Sequence, residues 1–432
     1  MSISNEKIEV IKGILRDLHK GVPIEELKRK LREALEEISP LEIPLIEQEL
    51  VKEGMPISEI LGLCDLHVEI LRDLLRPAEL KDVPKGHPLD LLSKENEYVI
   101  KLAKALNIYA EALSGVGLED AIDYLKAIGD IVAGLRKFRL HYRKIQMLIF
   151  PYLEKRGITA VPRVLWNKED QVIIKLRELS MLVEKGLSSL GEYAKSVAEK
   201  AREISKEISD LVFREERILF PSVWALLSEG EWAAIHDDAK RIGYLVPADI
   251  EWTPKAKPLL PHEISGVITP EQIEKLPQEF KFATLTPDMY EVRSEGDLEF
   301  ETGFLSKDEV EAIFKHLPLE ITYADVNDRV AFFSESMLRK GFARTKTLIS
   351  RRIEYCHPPR LENFVKSVVN DLKAGKADFK EYWTRLGDRI IRVMVVAVKD
   401  RNGNYLGTLE MVEDLTEIVN NPEEIKKKII VL

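Results

Sequence analysis

The sequence predicts a multidomain fold, with an all-α N-terminal module and a four-helix bundle followed by an α+β domain built on a five-stranded antiparallel sheet. Three observations carry this. At 432 residues the chain is too long for one core, and roughly 150 residues per domain gives two to four domains. Apolar residues recur at helical spacing, in long segments with short breaks, as far as about Tyr244. The last part of the chain then changes to short alternating strands separated by glycine and asparagine turns.

In the first module, residues 1–80, the series Ile8, Ile11, Ile14, Leu15, Leu18 is helical and Lys20-Gly21 stops it. Ile24, Leu27, Leu31, Leu35 and Ile38 form the next stripe, with Pro23 at its entry and Ser39-Pro40 at its end. Two shorter helices follow, around Glu53-Gly54-Met55-Pro56. Residues 84–246 hold four long segments, Leu89–Leu113, Leu118–Tyr152, Lys168–Leu190 and Glu192–Phe220, whose short connections predict an antiparallel bundle. Two stretches echo each other: Arg143 to Pro151 and Arg214 to Pro221 both close on Phe-Pro. Residues 247–298 are rich in proline and poor in periodicity, so they read as a connector. In the last domain, 299–420, Asn327-Asp328 joins two strands and Pro359–Leu372 is an amphipathic helix. Gly387-Asp388 and Asn402-Gly403 then each turn one strand into the next.

Composition narrows the function. With 64 Lys+Arg against 74 Asp+Glu the formal charge is −10, which argues against a phosphate-binding surface and hence against nucleic acid as partner. No run reaches the ~20 apolar residues of a membrane span, and the N-terminus lacks the order of a signal peptide, so a cytoplasmic protein is expected. Cys64 and Cys356 are too few and too far apart for a disulfide framework. No Gly-rich phosphate loop, catalytic motif or helix-turn-helix is present, so an enzyme is not expected.

In the bundle, His87 stands at the entrance of the first long helix, His141 lies inside the second, and Glu215 and Glu216 end the fourth. Imidazoles and carboxylates on different helices are what a metal site in a bundle core uses. The alternative is that His141 is a hydrogen-bonded core histidine and the glutamates a solvated helix end. Cys64 and His67 share one helix face at a spacing compatible with additional metal ligation, although an isolated cysteine is commonly a small core hydrophobe. In the α+β domain, Tyr323, Phe333 and Trp383 are read as inward-facing, together with Ile321, Phe332, Tyr382, Met394 and Val396. Cys356 and His357 precede the amphipathic helix, where they could ligate haem or report redox state; a helix-entry turn is the plainer reading.

Several strings carry a resemblance. Gly86-His87-Pro88, His141-Tyr142, Phe150 to Lys155, Arg214 to Pro221 and Glu231-Trp232 resemble the hemerythrin-like HHE cation-binding bundle. Glu47-Gln48-Glu49-Leu50 and Leu63 to His67 look like domain-of-unknown-function family 438, and Cys356 to Pro359 with Gly407 to Glu410 is similar to a PAS domain. The resemblance implies a metal-binding, oxygen-related bundle, and the chain departs from it where ligands belong: Gln146 replaces a glutamate, Arg156 a histidine, and Glu169-Asp170 a histidine-aspartate pair. His87, His141, Glu215, Glu216 and Glu169 remain as an incomplete set, from which one iron bound weakly, or none, is expected. Taken together, the three resemblances imply a sensor or signalling adaptor answering to metal, oxygen, redox state or a small ligand. A homodimer through the PAS domain and an unidentified downstream signalling protein are its expected partners. The alternative is an iron- or oxygen-binding storage protein.

Overall fold

A computed structural model describes residues 22–35, 43–57, 59–61, 82–115, 118–188, 190–270, 285–335 and 344–430, with residues 10, 13, 14, 17 and 272. It divides into two compact units, Met1–Tyr290 and Glu291–Leu432.

In the first unit, α1 (Ile24–Leu35) and α2 (Ile43–Lys52) are followed by the bundle. Its helices are α3 (Pro88–Gly115), then α4 (Leu118–Arg136) continued by α5 (Arg139–Lys144) and α6 (Phe150–Lys155), then α7 (Ala160–Ser188), then α8 (Leu190–Arg214) continued by α9 (Phe220–Leu226); α10 (Glu229–Ile242) follows. The long helices pack in a ring, α3 on α4, α4 on α7, α7 on α8 and α8 on α3, around one apolar core. The repeated Phe-Pro strings have a structural meaning. Each follows a five-residue π-helical turn, Ile145–Ile149 and Glu215–Leu219. Proline removes an N–H and crowds the carbonyl four residues earlier, and the wider turn relieves both. Helix α7 begins at Ala160, eight residues before the expected Lys168. Pro162 falls in its first turn, where a missing N–H costs nothing. Gln48 of α2 supplies a cap from outside, its side-chain oxygen accepting from the N–H groups of Thr159 (2.7 Å) and Ala160 (3.0 Å).

Of the proline-rich segment expected to be a connector, the described residues 247–270 and 285–290 belong to this first unit and lie along the bundle. Leu259 N–H donates to Gly230 O (2.9 Å), Tyr152 Oη to Leu259 O (2.7 Å) and Asp288 N–H to Lys155 O (3.0 Å). Gly86, at φ +77°, is needed for this approach, because a Cβ there would stand 2.5 Å from Glu251 N. Proline disrupts helical periodicity without preventing extended chain from packing, and that is why the sequence pattern suggested a linker.

The second unit opens with the hairpin β1 (Leu298–Phe300) and β2 (Gly303–Leu305) and with α11 (Lys307–His316), which has a complete capping box on Ser306 and Glu309. Strands β3 (Glu320–Asp325), β4 (Val330–Phe333), β5 (Phe379–Leu386), β6 (Arg389–Lys399) and β7 (Tyr405–Asp414) form an antiparallel sheet in the order β4-β3-β7-β6-β5. Gly387 (φ +62°) and Gly403 (φ +84°) make the two predicted turns in left-handed conformation. Helix α12 (Pro359–Lys373) packs on one face, burying Val368, Val369 and Leu372; the short α13 (Thr416–Asn420) and α14 (Pro422–Lys427) follow β7.

Candidate functional site

The centre of the bundle is polar and closed. His141, on α5, is fully buried, its ring stacked on Phe138 at 4.7 Å. Its Nδ1 lies 2.8 Å from Glu95 Oε2 on α3, and its Nε2 lies 3.0 Å from Glu215 Oε2 in the second π turn. The other Glu95 oxygen accepts from Lys144 Nζ (2.7 Å) and from Leu245 N–H (2.8 Å). Burial alone would push the His141 pKa down, but the two carboxylates outweigh it and hold the imidazole up at about 9. The Glu95 carboxyl is likewise held below its usual range, its burial outweighed by His141, Lys144 and the Leu245 amide. Burial lowers the Lys144 ammonium, partly offset by Glu95. Glu169, on α7, is pushed up to about 8 by burial and by the charge of Glu215, against the Gln146 amide that donates to it at 2.6 Å. Three oxygens here, Glu169 Oε1, Glu215 Oε1 and Tyr142 Oη, are buried without a hydrogen-bond partner. Glu216 turns away, accepting from Asn96 Nδ2 (3.0 Å) and Ser93 Oγ (3.3 Å) on α3.

His87 has other surroundings. Its Nδ1 accepts from Leu89 N–H (3.1 Å) at the start of α3, and its ring lies 4.5–5.2 Å from Trp252, Trp232 and Trp224. Burial lowers its pKa to about 4, opposed by the charge of Asp90 and helped to a smaller extent by that of His236. It is a helix cap in an aromatic box, whereas the sequence placed it with His141.

In the second unit a cavity of about 510 Å³ lies between the sheet and α12. Thirteen of its twenty lining residues are apolar or aromatic, so the cavity has the character of a small-molecule site. Arg344 crosses one wall, donating from Nε to Thr322 Oγ1 (2.9 Å) and pairing with Glu320 and with Glu410 (3.3 Å). At the entry of α12, His357 Nδ1 donates to Ile353 O (3.0 Å), and the Cys356 thiol faces Arg352 O (3.6 Å) with its pKa raised by burial.

Family models match three successive stretches: a family of unknown function (DUF438) at residues 11–77, a hemerythrin HHE cation binding domain at 87–223 and a PAS domain at 310–416. The chain joins a DUF438 region, a hemerythrin HHE domain and a PAS domain. Among solved structures it is similar to a C-terminal domain from Streptococcus mutans (31% identity over 29% of this chain and 96% of that one, TM-score 0.27). It is also similar to the sensor region of a sensor histidine kinase (19% identity, 23% of this chain and 40% of that one, TM-score 0.19). A third is a sensory box sensor histidine kinase from Vibrio cholerae (10% identity, 25% of this chain and 90% of that one, TM-score 0.20). No curated protein matches. Among the described residues, no helix is long and apolar enough to cross a membrane.

The residues of the HHE domain do not fit a two-iron centre. Gln146 brings a neutral amide, Lys144 spends its ammonium on Glu95, and His87 is elsewhere. Both nitrogens of His141 already face carboxylates. Among the described residues no three His, Cys, Asp or Glu side chains are grouped to hold a metal ion. Arg156, which stands where the resemblance has a histidine, is paired with Glu231, its Nη1 2.8 Å from Oε1, and it donates to the carbonyls of Tyr152 and Leu226. Cys64 and His67 lie outside the described residues.

The PAS cavity takes Cys356 and His357 into its wall and leaves out Tyr323, Phe333 and Trp383. Tyr323 donates to Leu406 O, and Trp383 is half exposed, donating to Glu381. The expected inward set is one residue out of step: Thr322, Thr384, Val393 and Val395 line the cavity, and only Tyr382 of the inward set does. Since side chains alternate along a strand, a one-residue error exchanges the two faces. The apolar residues lie on both faces of β6, so alternation gave no parity there. The aromatic box round His87 and the cap from Gln48 were also missed; each joins residues far apart in sequence.

Proposed function

We propose that the protein is a cytoplasmic sensor or signalling adaptor whose PAS domain takes a small molecule into the cavity between its sheet and α12. The cavity itself is the observation that carries this: about 510 Å³, largely apolar, with a few convergent polar groups. A ligand that binds one packing of α12 more tightly than another would shift their populations, and a partner protein would read the shift. A homodimer formed through the PAS domain is the proposed signalling form. Sensing of this kind needs no catalytic step. Native mass spectrometry of the full chain is the test: a retained small molecule is expected, and it should be lost in Leu361→Trp, which fills the cavity. Equal retention in both would refute the reading.

One observation favours a second reading, in which the HHE domain binds a single cation. Glu169 Oε1, Glu215 Oε1 and Tyr142 Oη are buried without partners, and each such group costs about 1–3 kcal/mol when nothing satisfies it. Metal analysis of the full chain purified without oxygen tests it. One metal per chain would support it, and none after incubation with Fe(II) or Mn(II) would refute it.

A further inference from the structure

We infer that two copies of the chain pair through the free edge of β5, antiparallel across a two-fold axis at Trp383, so that their sheets run on as one. This rests on the reading of a PAS homodimer as the signalling form and names the strand and register that build it. A sheet edge carries unpaired N–H and C=O groups and is a template for another strand unless something blunts it. The two edges of this sheet differ. Beside β4, Val330 N–H donates to Arg351 O (2.9 Å) and Ser350 N–H to Val330 O (2.8 Å), and β4 is four residues long with a register shift against β3. Strand β5 has eight residues, no proline and an unbroken register with β6, and among the described residues it pairs with β6 alone. Two large aromatic side chains on it face solvent, Phe379 (57% exposed) and Trp383 (52%).

Parity decides which residues can join. Leu386 pairs with Arg389 across the two-residue turn Gly387-Asp388, which makes theirs a hydrogen-bonded pair, and such pairs recur at every second residue. Ala397 N–H donating to Asp378 O (2.9 Å) keeps the same parity. Lys380, Tyr382, Thr384 and Leu386 therefore turn their backbone groups to β6, and Glu381, Trp383 and Arg385 turn theirs to the free edge. The side chains of these last three share the outer face of the sheet, because Tyr382, Thr384 and Leu386 face the cavity on the other. Glu381 accepts from Trp383 Nε1 (2.8 Å) and meets Arg392 only at 3.8 Å, since Arg392 Nε donates to Glu413 (2.8 Å). Arg385 is exposed, and among the described residues no ion pair holds it. With the axis at Trp383, Glu381 falls opposite Arg385 of the partner subunit and Arg385 opposite the partner's Glu381, with the two indoles side by side between them. Moving the axis by one residue loses both ion pairs, and moving it by two sets Glu381 or Arg385 against its own like charge. About six backbone hydrogen bonds then join the copies. Tyr382, Thr384 and Leu386 put the same strand in the cavity wall, so β5 serves both the cavity and the pairing.

Sedimentation velocity of the full chain over a concentration series, combined with charge exchange, tests the inference. The wild type is expected to dimerise. Glu381→Arg and Arg385→Glu each set like charges opposite one another at both ends of the pairing, and each should weaken the dimer by about ten-fold or more. The double variant, and an equimolar mixture of the two single variants, should recover it, because opposite charges face each other again in both. Trp383→Cys should cross-link the copies on mild oxidation, above the wild-type background. Phe379→Cys should not, since in this register position 379 lies roughly 27 Å from its own copy. A wild type that stays monomeric overturns the inference together with the homodimer reading. A dimer that neither single variant weakens, a loss that the mixture does not recover, or a Trp383→Cys that does not cross-link overturns the β5 register, and the homodimer then belongs to another face of the domain. The retained-molecule measurement decides the cavity reading in either case.

Discussion

Replacing Arg156 by methionine should be among the costliest single changes in the helical unit. The guanidinium is 3% exposed and faces Glu231, which is 1% exposed. It also donates to Tyr152 O at 3.0 Å and to Leu226 O at 3.1 Å. Arg156→Met keeps much of the aliphatic packing and removes every donor, so Glu231 is left as a buried carboxylate without its counter-charge. Breaking a buried pair from one side costs about 3–5 kcal/mol. The lower end applies here, because Glu231 keeps two donors, Ser228 N–H at 2.7 Å and Ser228 Oγ at 2.8 Å, as part of the capping box that starts α10. About 3 kcal/mol corresponds to a fall of roughly 6–12 °C in melting temperature for a unit of this size. The assay is thermal unfolding of the full chain followed by helical circular dichroism. Adding Glu231→Gln to Arg156→Met should recover at least half of the loss, since glutamine serves the capping box without a buried charge. A loss below about 1 kcal/mol for Arg156→Met, or a double variant less stable than the single one, would refute this account.

Three further outcomes are expected. Burial holds folded His87 at about 4 against 6.5 for the ordinary group, so its contribution is complete above 6.5 and is lost as pH falls towards 4, by about 3 kcal/mol in all. Denaturant titrations at pH 4.5 and 7 should show that slope in the wild type and a smaller one in His87→Asn, which retains a capping side chain. Glu169 has the opposite sign of shift for an acid, held at about 8 against 4.5, so the stability it allows at low pH is lost as pH rises through that interval. Glu169→Gln should therefore stabilise the chain by roughly 5 kcal/mol at pH 9 and hardly at all at pH 4.5, and equal effects at both would contradict the assignment. Gln146→Glu puts a carboxyl against Glu169, where the amide now donates at 2.6 Å, so metal content after Fe(II) loading should exceed that of the wild type. An unchanged content would show that Gln146 is not what limits binding.

Much of the architecture could be read locally. Gly387-Asp388 and Asn402-Gly403 fix their turns because only certain residues accept left-handed backbone, and both hairpins form where those residues stand. The long bundle helices follow from apolar spacing alone. The sites were less legible, for a reason visible in particular residues. His141 meets Glu95 and Glu215 because three helices cross at one level, across 46 and 74 residues of chain. His87 looked equivalent to His141 by motif, yet Trp252 of the proline-rich segment packs on it, and no local pattern announces that contact.

The sequence by itself determined the long bundle helices, the strands and glycine turns of the five-stranded sheet, and the positions, Gln146 and Arg156, at which it differs from the HHE pattern it resembles. These are properties of single residues and of short-range spacing. The tertiary structure alone decided where the charges go. It pairs Arg156 with Glu231 and Lys144 with Glu95, and puts Thr322, in place of Tyr323, on the inner face. Charges and faces are settled by what lies opposite in space, because a buried ion is stable only beside its partner and a strand's parity is fixed only by the layer it packs against.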